Sequence, residues 1–288
     1  MTARRELDER LRTLGDLSDI LGSLKTLSVL ETRKLARHAH HHQAVIDTIA
    51  EAATDFRSFH PGLLPPTPRT AVLLVVGSQR GFIGDFNRRL LQRAGETDAE
   101  THPLVLGVGE RLCRELRDDP RLLATVDGPG VAEDVEGVLA QVVAALGRAA
   151  KEYGPLHVAA LYQQPGQEQP TAEPIFPPYR DSPPAQAHAD PPVLNLAPRD
   201  FLEALVDEYL RCVLEGILIT SLLAESQART SHLEAALDRL DERTEGLRRQ
   251  RNQFRQEEIT EEIEVILLSV EAMAEEHEAF MRRTSDGT

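Results

Sequence analysis

Two long helical patterns, one near each end of the chain, enclose a middle whose hydrophobic period is that of strands and short helices. From Arg4 to about Phe59 there is no proline, the only glycines are Gly15 and Gly22, and Leu7, Leu11, Leu14, Leu17, Leu21 and Leu24 recur at steps of four and three. That spacing lays one apolar stripe along a helix. From Arg199 to about Arg283 proline is again absent, and the stepping returns in Leu233, Leu237, Leu240, Thr244, Leu247, Arg251 and Phe254, then in Ile259, Ile263, Ile266, Val270 and Met273. Steps averaging about 3.5 residues imply a left-handed supercoil with a partner helix. Helices on either side of a compact segment can bury their stripes on each other only if the chain doubles back. The expected architecture is therefore a long antiparallel coiled coil around a globular middle, with the Leu7–Leu24 seam facing the Ile259–Met273 seam.

The middle reads as α/β. Ala71–Val76 is a continuous aliphatic run, as a strand covered on both faces would be. The glycine-punctuated turn Gly77–Gly84 follows it, then a helix from Asp85 to about Ala94. Pro103–Val108 and His157–Tyr162 are further strand candidates, with helices expected from about Glu110 to Leu116 and from Val131 to Tyr153. Strands alternating with helices at this spacing predict a small, partly parallel sheet. Residues 163 to 198 hold 10 of the chain's 18 prolines, so loop is expected there, with short edge strands at Pro174–Tyr179 and Val193–Leu196.

Charge removes some functions. A net charge of -15 argues against nucleic-acid binding, which needs a basic surface to displace counterions, and an anionic lipid surface would repel the chain. The N-terminus lacks the apolar core of a secretory signal, and no apolar run approaches the roughly 20 residues of a membrane helix, so a cytoplasmic protein is expected. Cys113 and Cys212 both fall in expected helices and are read as reduced, buried thiols.

The catalytic motifs all fail on residue type. A phosphate-binding loop needs Gly-Lys-Ser/Thr at the helix start, whereas Gly84-Asp85-Phe86 puts a carboxylate there. The dinucleotide glycine pattern fails too, and Gly107-Val108-Gly109 is too short a match. His38 and His42 share a helix face, but no carboxylate or cysteine completes a ligand set nearby in sequence, so His38, His40, His41 and His42 are read as polar helix surface. Catalytic residues, a cofactor and a metal are all expected to be absent.

The segment from Arg251 to Ile263 carries Asn252, Arg255, Gln256, Ile259, Thr260 and Glu262. These match every defined position of a pattern of asparagine, two residues, arginine-glutamine, two residues, isoleucine-threonine, one residue and glutamate. It resembles the C-terminal signature of the gamma subunit of F-type ATP synthases. The turn Gly77–Asn87, with Ser78, Arg80, Gly81, Gly84 and Asn87, resembles that family's turn after its first strand, and Ile20–Lys25 sits where the family has an N-terminal motif of similar apolar spacing. The resemblance runs in order through essentially the whole chain.

The resemblance implies a central-stalk rotor: a coiled coil inside a ring of alpha and beta subunits, and a Rossmann-like α/β domain joining the epsilon subunit and the membrane c-ring. It divides the chain into an N-terminal coiled-coil helix over residues 1–60, an α/β domain over 70–197 and a C-terminal coiled-coil helix over 198–283. It assigns subunit contacts to Arg255, Gln256, Ile259, Thr260, Glu262, Leu24 and Lys25, and places the protein peripherally on the cytoplasmic side of the membrane. Two departures imply a divergent member, of the kind an alternate, sodium-translocating ATPase would carry. Residues 1 to 60 hold nine basic and nine acidic residues where the family is rich in lysine and arginine. Between Glu257 and Glu278 there are nine glutamates and neither lysine nor arginine. Two other readings stay open at this point: a coiled-coil scaffold or adaptor that no longer rotates, and a small-molecule enzyme using the α/β domain.

Overall fold

The aliphatic run forms β1 (Thr70–Val76) in the computed structural model, which describes residues 2–60, 62–63, 68, 70–96, 104–178 and 193–285, and its last five residues are all buried. Burial on both faces goes with parallel partners on both edges, β2 (Leu104–Val108) on one side and β4 (Leu156–Tyr162) on the other. β3 (Leu122–Val126) continues the sheet in parallel beyond β2, and β5 (Thr171–Phe176) lies antiparallel to β4, giving the order β3-β2-β1-β4-β5. Strand order reverses between β1 and β4, as in a doubly wound, Rossmann-like sheet.

Alternate residues of β1 serve opposite faces. Leu73 and Val75 pack with Phe86 and Leu90 of α2 (Phe86–Glu96) and with Leu112 and Leu116 of α3 (Glu110–Leu116). Val72, Leu74 and Val76 belong to the larger cluster, with Val138 and Val142 of α4 (Val135–Tyr153), Leu35 of α1 (Thr2–Phe59), and Leu214 and Leu218 of α5 (Pro198–Ser285).

The chain forms two compact units, one of Met1–Ser23 with Glu234–Thr288 and one of Leu24–Leu233. Both α1 and α5 contribute to each. In the larger unit they run antiparallel: Phe56 meets Phe201 with ring centroids 5.0 Å apart, while His42 Nε2 lies 3.2 Å from a Glu215 carboxylate oxygen. A Cβ built on Gly216 would sit 3.5 Å from the Ile46 Cδ1, an ordinary van der Waals contact, so Gly216 packs against Ile46 where the two helices meet. In the smaller unit the sense is again antiparallel, since Arg4 pairs with Glu258 at 3.1 Å and Asp8 with Arg251 at 3.7 Å.

These pairs correct the expected register. Leu7 is buried opposite the stretch around Arg251 to Glu258, so the leucine seam faces the stripe that ends at Phe254 and not Ile259–Met273. Both stripes of α5 have the same period, and period alone cannot choose between them; the ion pairs, Asp8 with Arg251 among them, mark the choice. Smaller differences follow from local context. β3 escaped notice because it is short and mostly half-exposed. Val193–Leu196 is no strand: Val193 is 94% exposed and nothing pairs with it among the described residues. The helix expected from Val131 to Tyr153 splits into a 3-10 turn, Ala132–Asp134, and α4. The antiparallel edge strand ends at Phe176, and Tyr179 lies outside the described residues, as do the side chains of His40 and His41. His42 is half-buried against Glu215, not on an open polar surface, and Cys113 is only half-buried.

The turn into β3 carries one acid-sensitive fastening. The Asp119 carboxylate accepts hydrogen bonds from the Arg121 backbone N–H at 2.9 Å and from its guanidinium at 2.9 and 3.1 Å. Hydrogen bonding from Arg121, outweighing burial, holds the Asp119 carboxyl below its ordinary value near 3.8. A carboxylate with a lowered folded value stabilises above its unfolded pKa, and that stability is lost as pH falls through the lower folded value. Asp119→Asn is therefore expected to lower the urea midpoint at pH 7 and to narrow the difference between midpoints at pH 7 and pH 3. An unchanged difference would remove this assignment.

Candidate functional site

The turn after β1 is wired into the neighbouring strand ends. Ser78 is fully buried; its backbone N–H donates to Asn87 Oδ1 at 3.1 Å, and Asn87 Nδ2 donates back to Ser78 Oγ at 3.0 Å. Gln79 Oε1 accepts from the Glu110 N–H after β2 at 2.9 Å and the Gly128 N–H after β3 at 2.7 Å. One amide thus ties together the C-terminal ends of three parallel strands. Gly77 is required by packing, because a Cβ there would lie 2.6 Å from that of Leu112. Phe82 adopts φ 61°, a region that non-glycine residues seldom occupy, and its ring is half-exposed.

α5 seats a charged pair on this turn. Glu225 is 3% exposed, and its two carboxylate oxygens accept from the backbone N–H groups of Gln79 and Arg80, each at 3.1 Å. Arg229, one helical turn on, donates to the same carboxylate, and its Nε donates to the Gly81 carbonyl at 3.1 Å. Ser221, one turn earlier, donates to the Val76 carbonyl at 3.2 Å. Burial pushes the Glu225 carboxyl up, against the opposing pull of Arg229 and of the two backbone N–H groups. An unpaired charge at this depth would be strongly destabilising; this one has a cation and two backbone donors on it.

The expected contact residues are placed differently. Arg255, Gln256, Ile259, Thr260 and Glu262 are all exposed on α5 in the unit of Met1–Ser23 with Glu234–Thr288, and Thr260 Oγ1 donates to the Gln256 carbonyl at 2.9 Å. Leu24 and Lys25 are half-buried on α1 in the Leu24–Leu233 unit. Past the Arg4–Glu258 pair, the apolar residues of α5 stay open to solvent, from Ile259 at 46% to Met273 at 70% exposure. Among the described residues, no three His, Cys, Asp or Glu side chains group as metal ligands.

Sequence reasoning passed over Gln79, Glu225 and Arg229. A signal was available: Leu214, Leu218, Ser221, Glu225, Arg229 and Leu233 fall at steps of four and three, so both charges lie on the stripe whose leucines are core. Charge on a core stripe calls for a buried partner.

The profile of the family described as ATP synthase matches residues 3–273. The ATP synthase gamma chain of Parafrankia sp. (strain EAN1pec) is 25% identical over 94% of this chain and 97% of its own length. That of Saccharopolyspora erythraea is 26% identical over 95% and 98%. Among solved structures, a chain of the Euglena gracilis mitochondrial ATP synthase, OSCP/F1/c-ring, shares the fold with a TM-score of 0.61 at 15% identity, over 94% of this chain and 95% of that one. A chain from the rotor of the same enzyme gives 0.59 at 15% identity, over 90% and 99%.

Proposed function

The chain belongs to the gamma-chain family of the ATP synthases, and from that premise we infer that it is the central-stalk rotor of an F-type ATP synthase or ATPase. As rotor it couples ion translocation in the membrane sector to ATP synthesis or hydrolysis in a ring of alpha and beta subunits. It carries no catalytic role of its own; it acts by presenting different contacts to each catalytic subunit as it turns, which shifts that subunit among its states. The working division is an N-terminal helix over residues 1–60, an α/β domain over 70–197 that joins the epsilon subunit and c-ring, and a C-terminal helix over 198–283. The protein belongs to the peripheral F1 part, and no helix among the described residues is long and apolar enough to cross a membrane. We place it on the cytoplasmic side.

The structural observation that carries this reading is the stretch from Ile263 to Val270. Ile263, Val265, Ile266, Leu267, Leu268 and Val270 are each more than half exposed, and at helical spacing they point to nearly every side of α5. Glu264 and Ser269 interrupt the apolar surface, but apolar side chains open on nearly every side of a helix need a partner that encloses it. A collar of surrounding subunits supplies that, and a one-sided groove does not. Arg255, Gln256, Thr260 and Glu262, just before this stretch, are assigned to polar contacts with the inner loops of the ring, and Ile259, Leu24 and Lys25 to further subunit contacts.

Arg255→Ala and Thr260→Ala are each expected to reduce coupled ATP hydrolysis and ion pumping of the assembled complex several-fold while leaving the thermal midpoint of the free chain within about 1 °C, as exposed substitutions do. Unchanged hydrolysis and pumping would remove the contact roles. One observation favours a second reading, a non-rotary scaffold or adaptor: the nine glutamates with neither lysine nor arginine between Glu257 and Glu278. Co-purification of the chain with alpha and beta subunits at a stoichiometry of one per ring supports the rotor, and failure to enter the ring supports the adaptor.

A further inference from the structure

In a doubly wound sheet, ligands bind in the crevice outside the strand ends where the strand order reverses, and the first turn after a strand offers its backbone N–H groups to a phosphate. Here that crevice lies between β1 and β4. The N–H groups of Gln79 and Arg80 point to an anion, and the anion is the Glu225 carboxylate of α5. Arg229 supplies the cation that such a site would use for a phosphate, and it also holds the Gly81 carbonyl. Ser221 closes the third side on the last residue of β1.

We propose that Glu225 is an internal ligand: its carboxylate occupies the phosphate position of the Rossmann-like turn and converts a ligand site into the joint that locks α5 to the α/β domain. The hydrophobic core also holds α5 on the sheet, but dispersion and burial are non-directional and resist sliding poorly compared with bonds of fixed geometry. Glu225, Arg229 and Ser221 occupy successive turns of one helix face, so together they fix α5 in both rotation and axial position against β1. They are positioning residues, acting on neither nucleotide nor ion. In the rotor reading, on which this inference rests, torque passing between the α/β domain and the C-terminal helix crosses this joint.

The test uses the chain assembled with its own alpha, beta, epsilon and membrane subunits in vesicles, reading ATP hydrolysis and ion transport together. Glu225→Gln keeps the shape but removes the charge and turns a donor toward one of the two backbone N–H groups. The expected result is hydrolysis within twofold of the parent and ions moved per ATP reduced threefold or more. A smaller change in that ratio, including a parallel loss of hydrolysis and transport as a general folding defect would give, overturns the joint. Glu225→Ala leaves Arg229 and the two N–H groups around an empty anion position. Potassium formate is expected to restore at least half of the lost ratio, and recovery no better than with potassium chloride at equal ionic strength overturns the proposal. If the alanine variant does not assemble, the glutamine variant decides. Failure of the parent chain itself to assemble with alpha and beta subunits refutes the rotor reading instead, so the two failures are separable.

Discussion

Gly109→Ala is expected to lower the free energy of unfolding by about 2–6 kcal/mol, combining the strain of a left-handed backbone with the overpacking of a filled turn. Gly109 has φ 107°, and a Cβ there would lie 2.6 Å from the Gly77 carbonyl oxygen and 2.7 Å from that of Ser78. Neither neighbour is the end of a flexible side chain. Both are backbone of the turn that Gln79 and Glu225 hold, so relief requires moving the turn away from β2 or from α5. The Gly109 N–H also donates to the Val126 carbonyl at 2.9 Å, which ties the same residue to β3. A urea titration measures the loss, and a decrease below about 1 kcal/mol would show that the turn gives way easily, contrary to the packing described.

Leu35→Ala is expected to cost about 2–5 kcal/mol, the range for truncating a leucine with no exposed surface in a core that cannot fully collapse. Leu35 is 0% exposed and sits in the cluster that includes Val72, Leu74, Val138 and Leu214. It is the α1 residue buried in that cluster, so its loss weakens the attachment of the helix more than the pairing of the strands. Hydrogen exchange should show this as a greater loss of protection in residues 24–59 than in β1. Equal loss in both would mean that α1 and the sheet open as one cooperative unit.

Legibility differed by element for physical reasons. β1, β2 and β4 were plain because strands buried on both faces are aliphatic at nearly every position. β3, at the sheet edge with only Val126 buried, leaves no such trace. Val193–Leu196 has strand-like composition, but composition cannot supply a neighbouring strand. The Asn252–Glu262 motif was readable from residue type and spacing alone, and its defining residues are exposed on α5. The Glu225–Arg229 pair was overlooked because a charged i,i+4 pair on a helix usually marks solvent; only its place on a leucine stripe set it apart.

The amino-acid order by itself determined that α1 and α5 are long helices with apolar stripes and that an α/β layer lies between them, because period and the absence of proline are local properties. It also determined the family, through residues whose spacing needs no fold to be recognised. The tertiary structure decided the register of α1 against α5, since two seams of equal period offer equal burial and long-range pairs such as Arg4 with Glu258 and Asp8 with Arg251 distinguish them. It decided as well what fills the crevice at the end of β1: residues 146 and 145 positions apart, Gln79 and Arg80 against Glu225, meet there, and only a folded chain can bring a carboxylate to those two N–H groups.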